Sequence, residues 1–166
     1  MIQLTNRLKS MAKTKPQLKL KIRIPHVILD VRGADPKLVE SLLPGIEELD
    51  ARFRVIGVGA KAFPHVFSAE EAMEEAHIWI ILGSHLPSEF SMIADRGIVP
   101  VMLNGLHKEA QNYNPVAEEG NAFLFQKATP WHIYGAMVRA LENFAFSYDW
   151  ENLRDQGRTL TISQAS

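Results

Sequence analysis

Short apolar runs alternate with helix-forming segments along most of this chain, and no other feature restricts the fold as much. "HVILDV" (26–31), "FRVIGVGA" (53–60), "HIWIILG" (77–83), "IVPVML" (98–103) and "NAFLF" (121–125) are each a few residues long and nearly continuously apolar. Such runs predict strands buried on both faces. Between and after them stand segments with helix start and stop signals. Asp35-Pro36 predicts a helix with Asp35 as N-cap and Pro36 at the first helical position. Its stripe is Leu38, Leu42, Leu43, Ile46 and Leu49, and Pro44-Gly45 is expected to kink or divide it. Ser68 is expected to cap a short acidic helix over 68–76, and Ser88 another over 88–97 that Gly97 closes. Thr129-Pro130 predicts a helix carrying Ile133, Met137, Ala140, Leu141 and Phe144 on one face, followed by a short helix over 149–157. Strands alternating with helices predict a Rossmann-like α/β fold: a doubly wound parallel sheet with helices on both faces.

Composition fits one domain of this kind. The chain has 166 residues, of which 46% are hydrophobic and 22% charged, enough to build a core. There is no cysteine, so disulfides, thiolate metal sites and a cysteine nucleophile are excluded. No apolar run reaches the roughly 18 residues that span a bilayer, and no signal-like segment opens the chain. A soluble, cytoplasmic protein without a membrane span is expected. Seven of the 18 basic residues lie before Asp30, whereas all 19 acidic ones lie from Asp30 onward. We read 1–25 as a solvated basic leader with an edge strand over 17–24, and 26–166 as one α/β domain. No aromatic residue interleaves with the leader's charges, which argues against a nucleic-acid partner.

In sheets of this class ligands bind beyond the carboxyl ends of the strands, so the loops 31–37, 57–64, 83–88 and 103–120 are the candidate sites. Six scattered histidines form no i, i+4 pair, so no metal is expected, and no cofactor. "GVGAKAF" shares only Gly57 and Gly59 with a dinucleotide loop. Asp30 ends a buried strand as a receiver-domain phospho-acceptor does, but the acidic pair such a site requires on an earlier strand is missing.

Several segments together resemble the nucleotide-binding half of a GT-B glycosyltransferase of the glycogen and starch synthase type. "GNAFLF" leading into "TPWHIYGAMVRAL", then "DWENLRDQG" and "TISQAS", is similar to that family's "GTGF-F" strand, following helix, "W--L---G" helix and "FSW". "RGIVPVMLNGL" resembles its "YGTVPVVR-TGGL", and "AHIWIILGS" its "AD-FL-PS". "LLPGIEELDARFRVIGVG" resembles the helix and strand ending in "GTG". In "VRGADPKL", Arg32 and Lys37 stand five apart, like the arginine and lysine of "SRLT-QKG". The likeness runs over residues 27–163.

The resemblance implies a nucleotide or nucleotide-sugar ligand whose diphosphate gathers charge as the bond to the sugar breaks. Arg32 would serve as a fork and Lys37 as a point charge, with Gly57, Gly59, Ser84, His85, Ser88, Asn104 and Gly105 in the surrounding loops. Helix N-termini near Ser88 and Asn104-Gly105 would add N–H donors. Three departures stand out. Ser84 takes the place of the glutamate of the family's "EPCGL" loop, and Glu89 matches it only across a gap. Asn104 stands at the "TGG" threonine. Nothing in these residues supplies the acceptor-binding N-terminal domain. The expected function is therefore a stand-alone nucleotide-sugar-binding domain, catalytically incomplete alone or half of a split transferase whose acceptor domain is a separate subunit; no catalytic residue is assigned. The alternatives are an interaction module that kept the fold and lost the ligand, and an active transferase using Glu89.

Overall fold

The computed structural model describes residues 23–160. The leader, residues 17–22 of the expected edge strand, and the "TISQAS" match lie outside the described residues. Arg23 and Ile24, which end that strand in the sequence reading, are irregular and exposed.

Five strands form one parallel sheet: β1 (His26–Asp30), β2 (Arg52–Ile56), β3 (Ile78–Ile81), β4 (Val99–Leu103) and β5 (Phe123–Phe125), in the spatial order β2-β1-β3-β4-β5. The helices are α1 (Pro36–Glu47), α2 (Ala69–Glu75), α3 (Phe90–Asp95), α4 (Pro130–Phe144) and α5 (Ser147–Gly157). Alternate strand residues face opposite sides, and both sides are covered. Val27, Leu29, Phe53, Val55, Ile80 and Val101 pack with α1, α4 and α5 through Leu42, Ile46, Ile133, Met137 and Trp150. Ile28, Ile56, Trp79, Ile81 and Met102 pack with α2 and α3 through Met73, Phe90 and Ile93. Each such side chain contributes about 1.5–3 kcal/mol of burial, so the doubly wound α/β arrangement follows from the apolar runs.

Three details differ from the sequence expectation. The second strand stops at Ile56 instead of reaching residue 60, because Gly57 and Gly59 take positive φ values of 113° and 123°. Pro44-Gly45 does not divide α1, which runs through to Glu47. A Cβ on Gly45 would lie 2.8 Å from the Tyr134 ring, so this glycine gives α4 its close approach. Ser88 does not cap α3. The Pro87 carbonyl accepts from the Phe90 N–H, and that turn moves the cap position to Glu89, whose side chain makes no cap bond. Three other starts fall as expected: Asp35 accepts from the Lys37 N–H, Ser68 from the Glu71 N–H, and Pro130 begins α4. The last helix, expected from residue 149, starts at Ser147.

From β1 the chain goes to β2 on one side and to β3 on the other. The direction of winding therefore reverses between β1 and β3, and the loops leaving these two strands part at their carboxyl ends.

Candidate functional site

Two adjoining cavities open at this point. The smaller, about 280 Å³, is lined by Asp30, Arg32, Gly33, Ile81, His85, Leu86 and Pro87. The larger, about 540 Å³, lies between the start of α1 (Asp35, Lys37, Leu38, Ser41), the loop after β3 (Gly83, Ser84) and the start of α4 (Ala128, Pro130). The backbone packs tightly here. A Cβ on Gly83 would lie 2.5 Å from the Arg32 carbonyl, so only glycine lets the loops after β1 and β3 meet.

Asp30 organises the smaller cavity. It closes an apolar strand and is only 2% exposed. A carboxylate that deep needs donors on every side. Its Oδ1 accepts from the Arg32 backbone N–H (3.2 Å) and from Arg32 Nε (2.9 Å). Its Oδ2 accepts from an Arg32 terminal nitrogen (2.8 Å) and from Trp79 Nε1 (3.0 Å). Trp79 reaches it because Ile28 pairs with Trp79 and Asp30 with Ile81, which makes Trp79 and Asp30 diagonal neighbours on one face.

Arg32 also holds Glu89. Its two terminal nitrogens donate to the two Glu89 oxygens at 3.1 and 3.2 Å. Four of the five guanidinium N–H groups are therefore committed to carboxylates. Hydrogen bonding to Asp30, opposed by partial burial and aided by Glu89, holds the guanidinium well above its ordinary value. Burial pushes the Glu89 carboxyl up, but the hydrogen bonds and charge of Arg32 win, and it rests below the usual carboxylate range. The cluster carries two negative charges against one positive.

The larger cavity is lined by one cation, Lys37, and one carboxylate, Asp35, whose Oδ1 accepts from the Lys37 N–H at 3.0 Å. Lys37 is exposed in the first turn of α1 and makes no ion pair among the described residues. Two helices of 12 and 15 residues begin at its wall, which adds the partial positive charge of their N-termini. Ser84 offers a hydroxyl within 3.0 Å of His85 Nδ1.

Of the residues proposed from the sequence, the structure brings Arg32, Lys37, Ser84 and His85 to these cavities. Gly57, Gly59, Ser88, Asn104 and Gly105 are outside both linings. Gly57 backs the Arg32 loop, where a Cβ would lie 3.1 Å from the Arg32 nitrogen. Asn104 donates to Gln126 Oε1 at 3.0 Å, tying the loops after β4 and β5 together. Arg32, expected as a fork for the ligand, already donates to Asp30 and Glu89. The sequence held a hint of this, an aspartate ending an apolar strand two residues before an arginine. Among the described residues there is no cluster of three or more histidine or acidic side chains able to hold a metal, and no helix long and apolar enough to cross a membrane.

No protein-family model matches the sequence. A glycogen synthase of Fervidobacterium nodosum is 25% identical over 160 aligned positions, covering 82% of this chain and 33% of that protein. Glycogen synthase 1 of a Synechocystis species is 34% identical over 69 residues, 40% of this chain and 14% of that one. Among solved structures, the catalytic domain of starch synthase IV from Arabidopsis thaliana, bound to ADP and acarbose, superposes with a TM-score of 0.62. That match has 14% identity and covers 97% of this chain and 39% of the synthase chain.

The chain is thus similar in sequence to glycogen synthases and in fold to a starch synthase catalytic domain. The synthase-like domain has a fold that matches a GT-B glycosyltransferase domain, consistent with the C-terminal half of such an enzyme. It spans about a third of the length of the Fervidobacterium relative.

Proposed function

We propose that the synthase-like domain binds the diphosphate of a nucleotide or nucleotide-sugar in the cleft between the loops after β1 and β3. One observation carries this reading. At the point where the sheet's winding reverses, Lys37 and the starts of α1 and α4 line a single cavity of about 540 Å³. Helix N-termini and a lysine that makes no ion pair among the described residues suit a diphosphate, and Ser84 adds a neutral hydroxyl. The starch synthase with the matching fold is bound to ADP, which supports the same ligand class here.

The domain is catalytically incomplete by itself. Ser84, a hydroxyl, stands where the family resemblance puts a glutamate. An acceptor must then be held by other residues, which we place on a separate domain or subunit.

Thermal-shift titration with ADP, UDP and their glucose conjugates tests the reading. A ligand at 100 times its dissociation constant adds about 2.7 kcal/mol of stability. Lys37→Ala should abolish that shift. No shift with any of the four ligands would refute the proposal. It would favour the second reading, a non-catalytic interaction module, for which the double occupation of Arg32 by carboxylates already speaks.

A further inference from the structure

We propose that Glu89 is an internal stand-in for the ligand's phosphate: it occupies the outer edge of Arg32 and must be displaced for a diphosphate to bind tightly. This inference rests on the diphosphate reading and adds the residue that governs its affinity.

The two carboxylates on Arg32 are not equivalent. Asp30 takes the inner edge, through Nε and one terminal nitrogen, and its side chain is 3% exposed. It is held from a second direction by Trp79. Glu89 takes the outer edge, through both terminal nitrogens, and its side chain is 19% exposed. It comes from the loop after β3, 57 residues away in sequence. Two oxygens facing the two terminal nitrogens of a guanidinium is also the arrangement a phosphate group adopts. Glu89 thus fills a place of the right shape for an anion, on a cation whose other edge is fixed.

The charges point the same way. While Glu89 is in place the cluster is net negative and repels an approaching anion. When its side chain turns out to water, the Asp30–Arg32 pair is neutral, its outer N–H groups are open, and the repulsion from the second carboxylate is gone. Of the two carboxylates Glu89 is the more exposed, so solvent screens its pair with Arg32 more and it is the one more readily released. A diphosphate carrying more charge than one carboxylate can therefore replace it. Binding would be tuned by how readily Glu89 leaves, and monoanionic ligands would be selected against.

Isothermal titration of inorganic pyrophosphate and of ADP into the wild-type chain, Glu89→Gln, Glu89→Asp and Glu142→Gln tests this. Glu142→Gln removes the same charge from the last turn of α4, far from the cleft. Glu89→Gln should bind both ligands about tenfold more tightly than wild type. Glu89→Asp, with a shorter reach, should fall between them, and Glu142→Gln should match wild type. Equal affinities for ADP in wild type and Glu89→Gln would overturn the stand-in role and leave the nucleotide reading intact. A gain for pyrophosphate with no binding of ADP would keep the stand-in role and remove the nucleotide reading. Failure of a folded Glu89→Gln to bind either ligand would overturn both.

Discussion

Strand β1 meets polar chemistry at both ends, and the two ends handle it differently. At its start, the His26 N–H donates to His77 Nδ1 at 2.9 Å, and the His77 ring lies against Phe144 with centroids 4.8 Å apart. Arg23 lies over the same Phe144 ring, its guanidinium 4.8 Å from the ring centre. Burial, with the nearby charges of His26, Arg23 and Arg154, holds His77 below its ordinary value, so the neutral ring is favoured. At its finish, Asp30 and Glu89 clamp Arg32, and Lys37 and two helix N-termini stand beside an open cleft. The first end buries a histidine ring against an aromatic side chain and favours its neutral form. The second buries a carboxylate and holds it with a guanidinium and an indole N–H.

That contrast can be broken by mutation. Arg32→Ala should have the largest effect. It leaves a buried carboxylate with Trp79 as its main donor, and orphaning a buried charge costs about 3–5 kcal/mol. Urea denaturation should show the loss; a change under about 1 kcal/mol would mean that Asp30 finds other donors. Because this substitution damages the fold, it cannot isolate a role in binding. Lys37 can.

The start of β1 should respond to acid at milder pH. His77 has a lowered value in the folded chain, so its contribution to stability is complete above the ordinary 6.5 and is lost as pH falls through the folded value. NMR titration of the His77 ring should give a midpoint below 6.5. A midpoint at or above it would remove the distinction between the two ends.

A smaller loss follows at the finish of β1. The Glu89 carboxyl is lowered, so its contribution is present above the ordinary 4.5 and disappears as pH falls through the folded value. Glu89→Gln should cost about 1 kcal/mol or less at neutral pH, and should flatten the acid limb of the stability curve. A loss as large as that of Arg32→Ala would make Glu89 structural rather than displaceable. Lys37→Ala should change stability least, by under about 0.5 kcal/mol, while removing ADP binding.

The fold was legible because its signals are local. Asp35-Pro36, Ser68 and Thr129-Pro130 start helices by chemistry confined to one turn, and the apolar runs reveal strands buried on both faces. The misreadings lay where distant residues decide. Pro44-Gly45 carries a helix-breaking pattern, yet it serves the Tyr134 ring from a helix nearly ninety positions later. The strand expected over 98–103 does form despite Pro100, because β4 begins pairing with β5 only at Val101 and the missing N–H is not needed there. In the site, the spacing of Arg32 and Lys37 brought out the two cations but not their difference. Glu89 and Trp79 decide it, and each reaches the β1 end from another strand-loop unit.

The most direct measurement is a crystal structure of the chain with ADP bound. The account predicts the diphosphate in the cavity lined by Lys37, Gly33 and Ser84, with Glu89 turned to solvent and the outer edge of Arg32 facing a phosphate oxygen. A structure at saturating ADP in which Arg32 still bridges both carboxylates and the nucleotide lies elsewhere, or nowhere, would contradict it.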